Sequence, residues 1–253
     1  MLDMSKSSQN ILNSLAMSLQ GAAHLDDQKN IFAQFIVKTG FDKFFYIPLS
    51  FENDDHIKLH CSNFPKPFID AYLKNEHIFA DPMIISSRAA TLPVTWSSDQ
   101  INESLMTKQA RDIKSLYQQY GLKRGLSITV RGARNRHAVL LAVCTKSEQE
   151  FQFQADSHHL TIMAAGYLYH NAMSDLLRNS PFYQHNDYLT LTSKQQEILR
   201  LAALGKSKWE ISVIIGMSEA TVHYHLRDIG RRLETQGVTA TVAKALSLGY
   251  ISL

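Results

Sequence analysis

Two stretches of the chain hold side chains whose type and spacing bear on chemistry. In SEATVHYHLRDIGRRLE, residues 218–234, Val222, Leu226, Ile229 and Leu233 fall within one narrow arc of a helix and form an apolar stripe. Opposite them stand Ala220, Tyr224, Arg227 and Arg231, with His223 on one flank and little acid to balance the charge. Arginine can form paired hydrogen bonds with a guanine edge or neutralise a phosphate, and a small residue such as Ala220 lets a helix approach closely. In residues 64–96, Phe64, Phe68 and Tyr72 recur at four-residue steps, followed by Asp81-Pro82 at the head of the apolar run MII and then by Trp96. An aromatic stripe is ordinary core. A carboxylate entering an apolar layer is less ordinary, because it must find a donor from the protein or from a bound molecule.

These residues need elements to hold them. After Pro181 the pattern is all helical and in short pieces. Thr192 and Gln195 fit a capping box at the start of a helix that stops at Gly205. A second helix over 207–214 ends at Gly216, Ser218 caps a third, and a fourth over 238–248 ends at Gly249. Two short helices joined by a tight Gly-containing turn make a helix-turn-helix, whose second helix presents its N-terminal outer face to the DNA major groove. Thr221 then joins Ala220 in its first turn, and Lys206, Ser207 and Lys208 open the preceding helix, where amides and lysines meet backbone phosphate. One such unit reads few base pairs, so a homodimer on an inverted-repeat operator in double-stranded DNA is expected. Val242, Ala245 and Leu246 of the last helix, and Leu160, Met163, Tyr167 and Leu176 further back, are candidate pairing faces.

Upstream, periodicity predicts helices near 8–20, 27–38, 65–76, 100–119 and 157–178, the fourth with Met106, Ala110, Ile113, Tyr117 and Tyr120 on one apolar face. Strands are predicted at 44–51, 56–62, 125–132 and 137–145, the last two joined by ARNR. This order implies an α+β layer structure, an antiparallel sheet covered by helices on both faces. Residues 179–190, NSPFYQHNDYLT, interrupt both patterns and divide a domain over 1–178 from one over 191–253.

Charge agrees with that division. The net charge of +3 lies wholly in the last quarter, where eight Lys/Arg face five Asp/Glu in residues 189–253. Two distant cysteines, Cys61 and Cys144, are expected to be reduced thiols of a cytoplasmic protein, and no secretory leader or membrane span is expected. Enzymatic activity is not expected. His158 and His159 diverge on their helix, His56 and His60 stand too isolated for a metal, and GAR at 132–134 is a turn rather than a phosphate loop. Asp54-Asp55 lies in a predicted hairpin and not at the tips of parallel strands, which argues against a phosphorylated receiver. No metal or cofactor is called for.

Residues 191–251 resemble the DNA-binding domain of LuxR-type regulators: LTSKQQEIL, AALGKSKWEIS, IGMSEATVHYHLRDIGRRL and ATVAKALSLGYI stand in the family's order and spacing. Gln195 departs from the family's usual glutamate but can fill the same cap. Tyr72, Asp81, Pro82 and Trp96, with the glycine pair Gly121 and Gly125, resemble that family's acyl-homoserine-lactone-binding domain. The resemblance implies an α/β/α sandwich in which Asp81 accepts the ligand's amide N–H, Tyr72 contributes a hydroxyl and Trp96 walls the head group. Three departures subtract polar contacts. Phe68 stands where the family has the tryptophan that donates to the lactone carbonyl, Phe64 where several members have tyrosine, and Ala142 where they carry Ser or Thr. Ser127 and Thr129, on a nearby strand, are candidate replacement donors. The resemblance thus implies a small-molecule signal, an acyl-homoserine lactone or an analogue. The alternative is a regulator that answers a non-lactone signal or works without one.

Overall fold

In a computed structural model of the chain, residues 2–49, 60–99, 107–132, 137–178 and 191–252 are described. The sequence expectations at the 179–190 linker, the ARNR connection, Asp54-Asp55, His56 and Met106 lie outside them. The chain divides into two compact units, the first comprising residues 1–132 and 137–176 and the second built on Leu177–Leu253.

The first unit is organised by strand alternation. β1 (Lys43–Pro48), β2 (Cys61–Ser62), β3 (Val94–Ser97), β4 (Arg124–Arg131) and β5 (His137–Cys144) pair antiparallel in the order β2-β1-β5-β4-β3. Successive side chains point to opposite faces. Phe44 and Tyr46 of β1, Leu126, Ile128 and Val130 of β4, and Ala138, Leu140, Ala142 and Cys144 of β5 enter one core. There they meet α1 (Leu2–Gln20), α2 (Leu25–Lys38) and α6 (Glu148–Arg178). Phe45, Ile47, Val139, Leu141 and Val143 enter the other. That second core is closed by α3 (Lys66–Lys74), α4 (Pro82–Arg88) and α5 (Lys108–Gln119). The fold is therefore the expected antiparallel sheet between two helical layers. β5 lies mid-sheet and is buried on both faces, which is why HAVLLAVC reads as an unbroken apolar run.

The structure corrects three details. A fifth strand, β3, and the helix α4 occupy the stretch between residues 82 and 97, which carries no predicted element. α6 begins at Glu148 rather than 157: Phe151 and Ala155 anchor its first turns in the core, and Ser147 and Glu150 cap it reciprocally.

The second unit is four helices around one core: α7 (Ser193–Ala203), α8 (Lys208–Ile215), α9 (Glu219–Arg232) and α10 (Val238–Ser247). Capping boxes start α7 (Thr192 with Gln195) and α8 (Ser207 with Glu210). Gly216 ends α8 at φ +70°, a left-handed conformation that glycine adopts without the Cβ penalty and that turns the chain sharply into α9. Ala245 of α10 is fully buried in this core, and Val242 and Leu246 pack against it. The face expected to pair with a second copy is thus used within the domain.

Candidate functional site

Three helices and one edge strand converge on Asp81. The residue is the N-cap of α4: its Oδ1 accepts the Met83 backbone N–H at 2.8 Å, and Pro82 fills the first helical position, where no N–H is needed. Its Oδ2 accepts the Tyr72 hydroxyl from α3 at 2.6 Å and the Tyr117 hydroxyl from α5 at 3.0 Å. Asp81 is fully buried. Burial pushes its carboxyl above the ordinary aspartate range, opposed by hydrogen bonds from Tyr72, the Met83 backbone, Tyr117 and the Ile84 backbone. Tyr72 and Tyr117 are both driven well above the usual phenol range, first by burial and then by the carboxylate beside them. Both phenols therefore stay protonated and serve as donors.

Around this cluster lies a layer of rings. Phe68 is fully buried, stacks on Tyr72 at 5.6 Å, and meets Tyr117 and Phe64 edge-on at 5.2 and 5.3 Å. Trp96, on β3, meets Tyr117 at 5.4 Å. Its indole lies over Gly125, its partner on β4, where a Cβ would stand 2.8 Å from the ring and also collide with the Ala142 carbonyl oxygen. Gly121 takes φ +68° directly after α5, and the following Leu122 N–H returns to the Tyr117 carbonyl at 2.9 Å. The glycine pair thus ends the helix that carries Tyr117 and opens room for Trp96.

Most of the sequence-nominated residues come together here: Phe64, Phe68, Tyr72, Asp81, Pro82 and Trp96 surround one another on a single face of the sheet. Ser127 and Thr129 point to that face as well, but their hydroxyls serve α4. Ser127 donates to the Met83 carbonyl at 2.7 Å, and Thr129 donates to the Ser87 hydroxyl at 3.3 Å. Ala142 is not brought to the cluster. It pairs with Phe44 and Leu126 and belongs to the opposite core, while its neighbours Leu141 and Val143 face Asp81's side. A one-residue step along a strand reverses the face. Tyr117 is the residue that sequence reasoning misses, because in the sequence it stands only as part of an apolar helical face. Its phenol was the available signal, since a buried tyrosine needs a partner for its hydroxyl.

The second candidate surface is the outer face of α9. Val222, Leu226 and Ile229 are buried, and Leu233 follows them into the core. Ala220, His223, Tyr224, Arg227 and Arg231 are exposed and line one open, shallow cleft with Asp228. Asp228 corrects the expectation of an unbalanced face: it binds Arg231 at 2.8 Å and approaches Arg232 at 3.7 Å. Arg227 has no acidic partner among the described residues. Thr221 is tied to Ser218, their hydroxyls 2.7 Å apart at the start of α9, and Ser207 is held by Glu210 in the cap of α8. Lys206 lies 3.9 Å from Glu210, and Lys208 begins α8 half-buried.

An antiparallel sheet between helical layers, followed by a helix-turn-helix with a cationic outer face, defines a two-domain regulator of the ligand-sensing, DNA-binding class. Residues 24–173 match the family described as autoinducer binding domain, and residues 189–245 match bacterial regulatory proteins of the luxR family. The chain belongs to the LuxR family of quorum-sensing transcriptional regulators. It is 24% identical to the transcriptional activator protein AhyR of Aeromonas hydrophila, the match covering 89% of this chain and 86% of that one. It is 28% identical to the quorum-sensing regulator RhlR of Pseudomonas aeruginosa over 74% of each. The crystal structure of Escherichia coli SdiA superposes with a TM-score of 0.71 at 17% identity, covering 96% of this chain and 98% of that one, a likeness of fold.

Proposed function

We propose that the chain is a homodimeric transcriptional regulator of the cytoplasm that takes up an N-acyl homoserine lactone, or a close amide analogue, beside Asp81 and reads an inverted-repeat operator through α9. The observation that carries this reading is a fully buried carboxylate set among the rings of Phe68, Tyr72, Tyr117 and Trp96. An apolar layer with one strong acceptor suits a molecule that has an acyl tail and a single amide N–H. The incoming N–H competes with the weaker of the two phenols, Tyr117 at 3.0 Å, for Asp81 Oδ2.

On the DNA side, Ala220, His223, Tyr224 and Arg227 offer base-edge contacts, while Lys206 and Lys208 meet phosphates. Arg231 exchanges Asp228 for DNA. A single recognition helix reads too few base pairs, so pairing of two chains is required. Phe153, Leu160 and Tyr167 stand exposed at seven-residue steps along α6, a face suited to such pairing.

A second reading is favoured by one specific observation: the chain itself satisfies Asp81, so its carboxylate needs no ligand to be stable. On that reading the first domain is a permanently folded dimerisation unit. Operator-binding anisotropy of the full chain, with and without acyl homoserine lactones of graded chain length, decides between the two. Ligand-dependent affinity, in either direction, supports the first reading, and tight binding that no lactone alters supports the second.

A further inference from the structure

Phe68 cannot donate a hydrogen bond, yet its aromatic layer contains a donor that the chain leaves unused. Trp96 is only 7% exposed, and its Nε1–H is buried with no acceptor among the described residues. Such a group forfeits its hydration without compensation, and native proteins rarely leave one in place. Local adjustment does not readily relieve it. The indole is wedged over Gly125, whose missing side chain makes the position accessible, and its other flank rests against Tyr117. Ser127 and Tyr72 are already spent as donors, on the Met83 carbonyl and on Asp81. Tyr117 therefore stands between an acceptor, Asp81, and an unpartnered donor, Trp96.

Resting on the reading that this domain takes up a small amide, we propose that Trp96 is its specificity-determining donor: the Nε1–H holds a carbonyl oxygen of the ligand head group while Asp81 accepts the amide N–H. Trp96 thus does more than wall the site. It takes over the task that Phe68 cannot perform, from the strand side of the layer rather than from α3. The ligand it selects carries an amide N–H on a small ring and a carbonyl oxygen in that ring. An acylated aminolactone satisfies that pattern, whereas an amide of a plain carbocycle lacks the acceptor.

The test compares N-octanoyl homoserine lactone with N-cyclopentyl octanamide, which lacks the ring ester, by titration calorimetry on the full chain. The wild type is expected to prefer the lactone by about tenfold or more, the loss caused by one buried donor left unpaired. Trp96→Phe should bind both compounds with nearly equal affinity, and Phe68→Trp added to Trp96→Phe should restore the preference. Should Trp96→Phe keep the preference, another group is the donor and the assignment is wrong while the ligand reading stands. Binding of neither compound by the wild type would overturn the ligand reading and this assignment with it. A further measurement leaves the site intact. The chain has two tryptophans, so Trp209→Phe, at an exposed position of α8, leaves Trp96 as the sole indole reporter. Its emission should shift with the lactone and much less with the carbocycle, and equal shifts with both would contradict the proposal.

Discussion

Asp81 has roughly four acceptor positions when ionised, and the chain fills them with two phenols and the backbone at Met83 and Ile84. A ligand N–H must therefore displace a donor, and the two phenols are unequal. Tyr72 is the closer, at 2.6 Å, and its ring is stacked on Phe68, so removing its hydroxyl weakens the frame of the site. Tyr117→Phe instead removes a competitor. We expect it to cost the first domain about 1–2 kcal/mol in denaturant unfolding yet raise lactone affinity several-fold, whereas Tyr72→Phe lowers both. If Tyr117→Phe weakens lactone binding in calorimetry, the displacement idea fails. At this scale the sequence exposed Asp81, Tyr72, Phe68 and Trp96, because a carboxylate ahead of an apolar run and a row of rings stand out on their own. Tyr117 stays hidden because the carboxylate its hydroxyl must reach lies 36 positions away on another helix.

Among the elements, long periodic segments were legible and short ones were not. α2, α3, β1, β4, β5 and the helices of the second unit follow from apolar spacing and caps, and the Thr192–Gln195 capping box is present as expected. The four-residue β3 follows a proline and pairs on one side only, so alternation had no length in which to appear. The seven-residue α4 is signalled only by aspartate followed by proline, a helix start that reads equally as site chemistry. The face of Ala142 is not legible in the sequence, because β5 is apolar on both faces and offers no polar residue to fix its phase.

The β3–β4 pair carries its own test. Gly125→Ala would drive a methyl into the Trp96 ring and the Ala142 carbonyl. A loss of roughly 1–3 kcal/mol in the first domain is expected in denaturant unfolding, with the melting of the second unit unchanged. An unchanged first transition would refute the close packing. On α9, Arg227→Ala should cost operator affinity about 1–3 kcal/mol and relax base preference at one position. Lys208→Ala should weaken all sequences alike and lower the salt slope by about one. Anisotropy titrations at several salt concentrations distinguish a base contact from a phosphate contact, and the opposite assignment would appear as exchanged signatures.

For the whole molecule, the excess positive charge and the helix-turn-helix lie in one unit while the buried carboxylate and aromatic layer lie in the other, so reading DNA and sensing a signal are separate physical tasks. What joins them in the proposed function is stabilisation of the first domain by a ligand that its folded state binds and its unfolded state does not. Binding of that kind contributes about 2.7 kcal/mol at a ligand concentration one hundred times Kd. The most direct test is a thermal-shift titration of the full chain with N-acyl homoserine lactones of graded chain length. A saturable rise of several degrees in the first transition is expected at micromolar ligand, strongest for one chain length and reduced in Trp96→Phe. No rise at any chain length, in protein that still binds its operator, would contradict the proposed function.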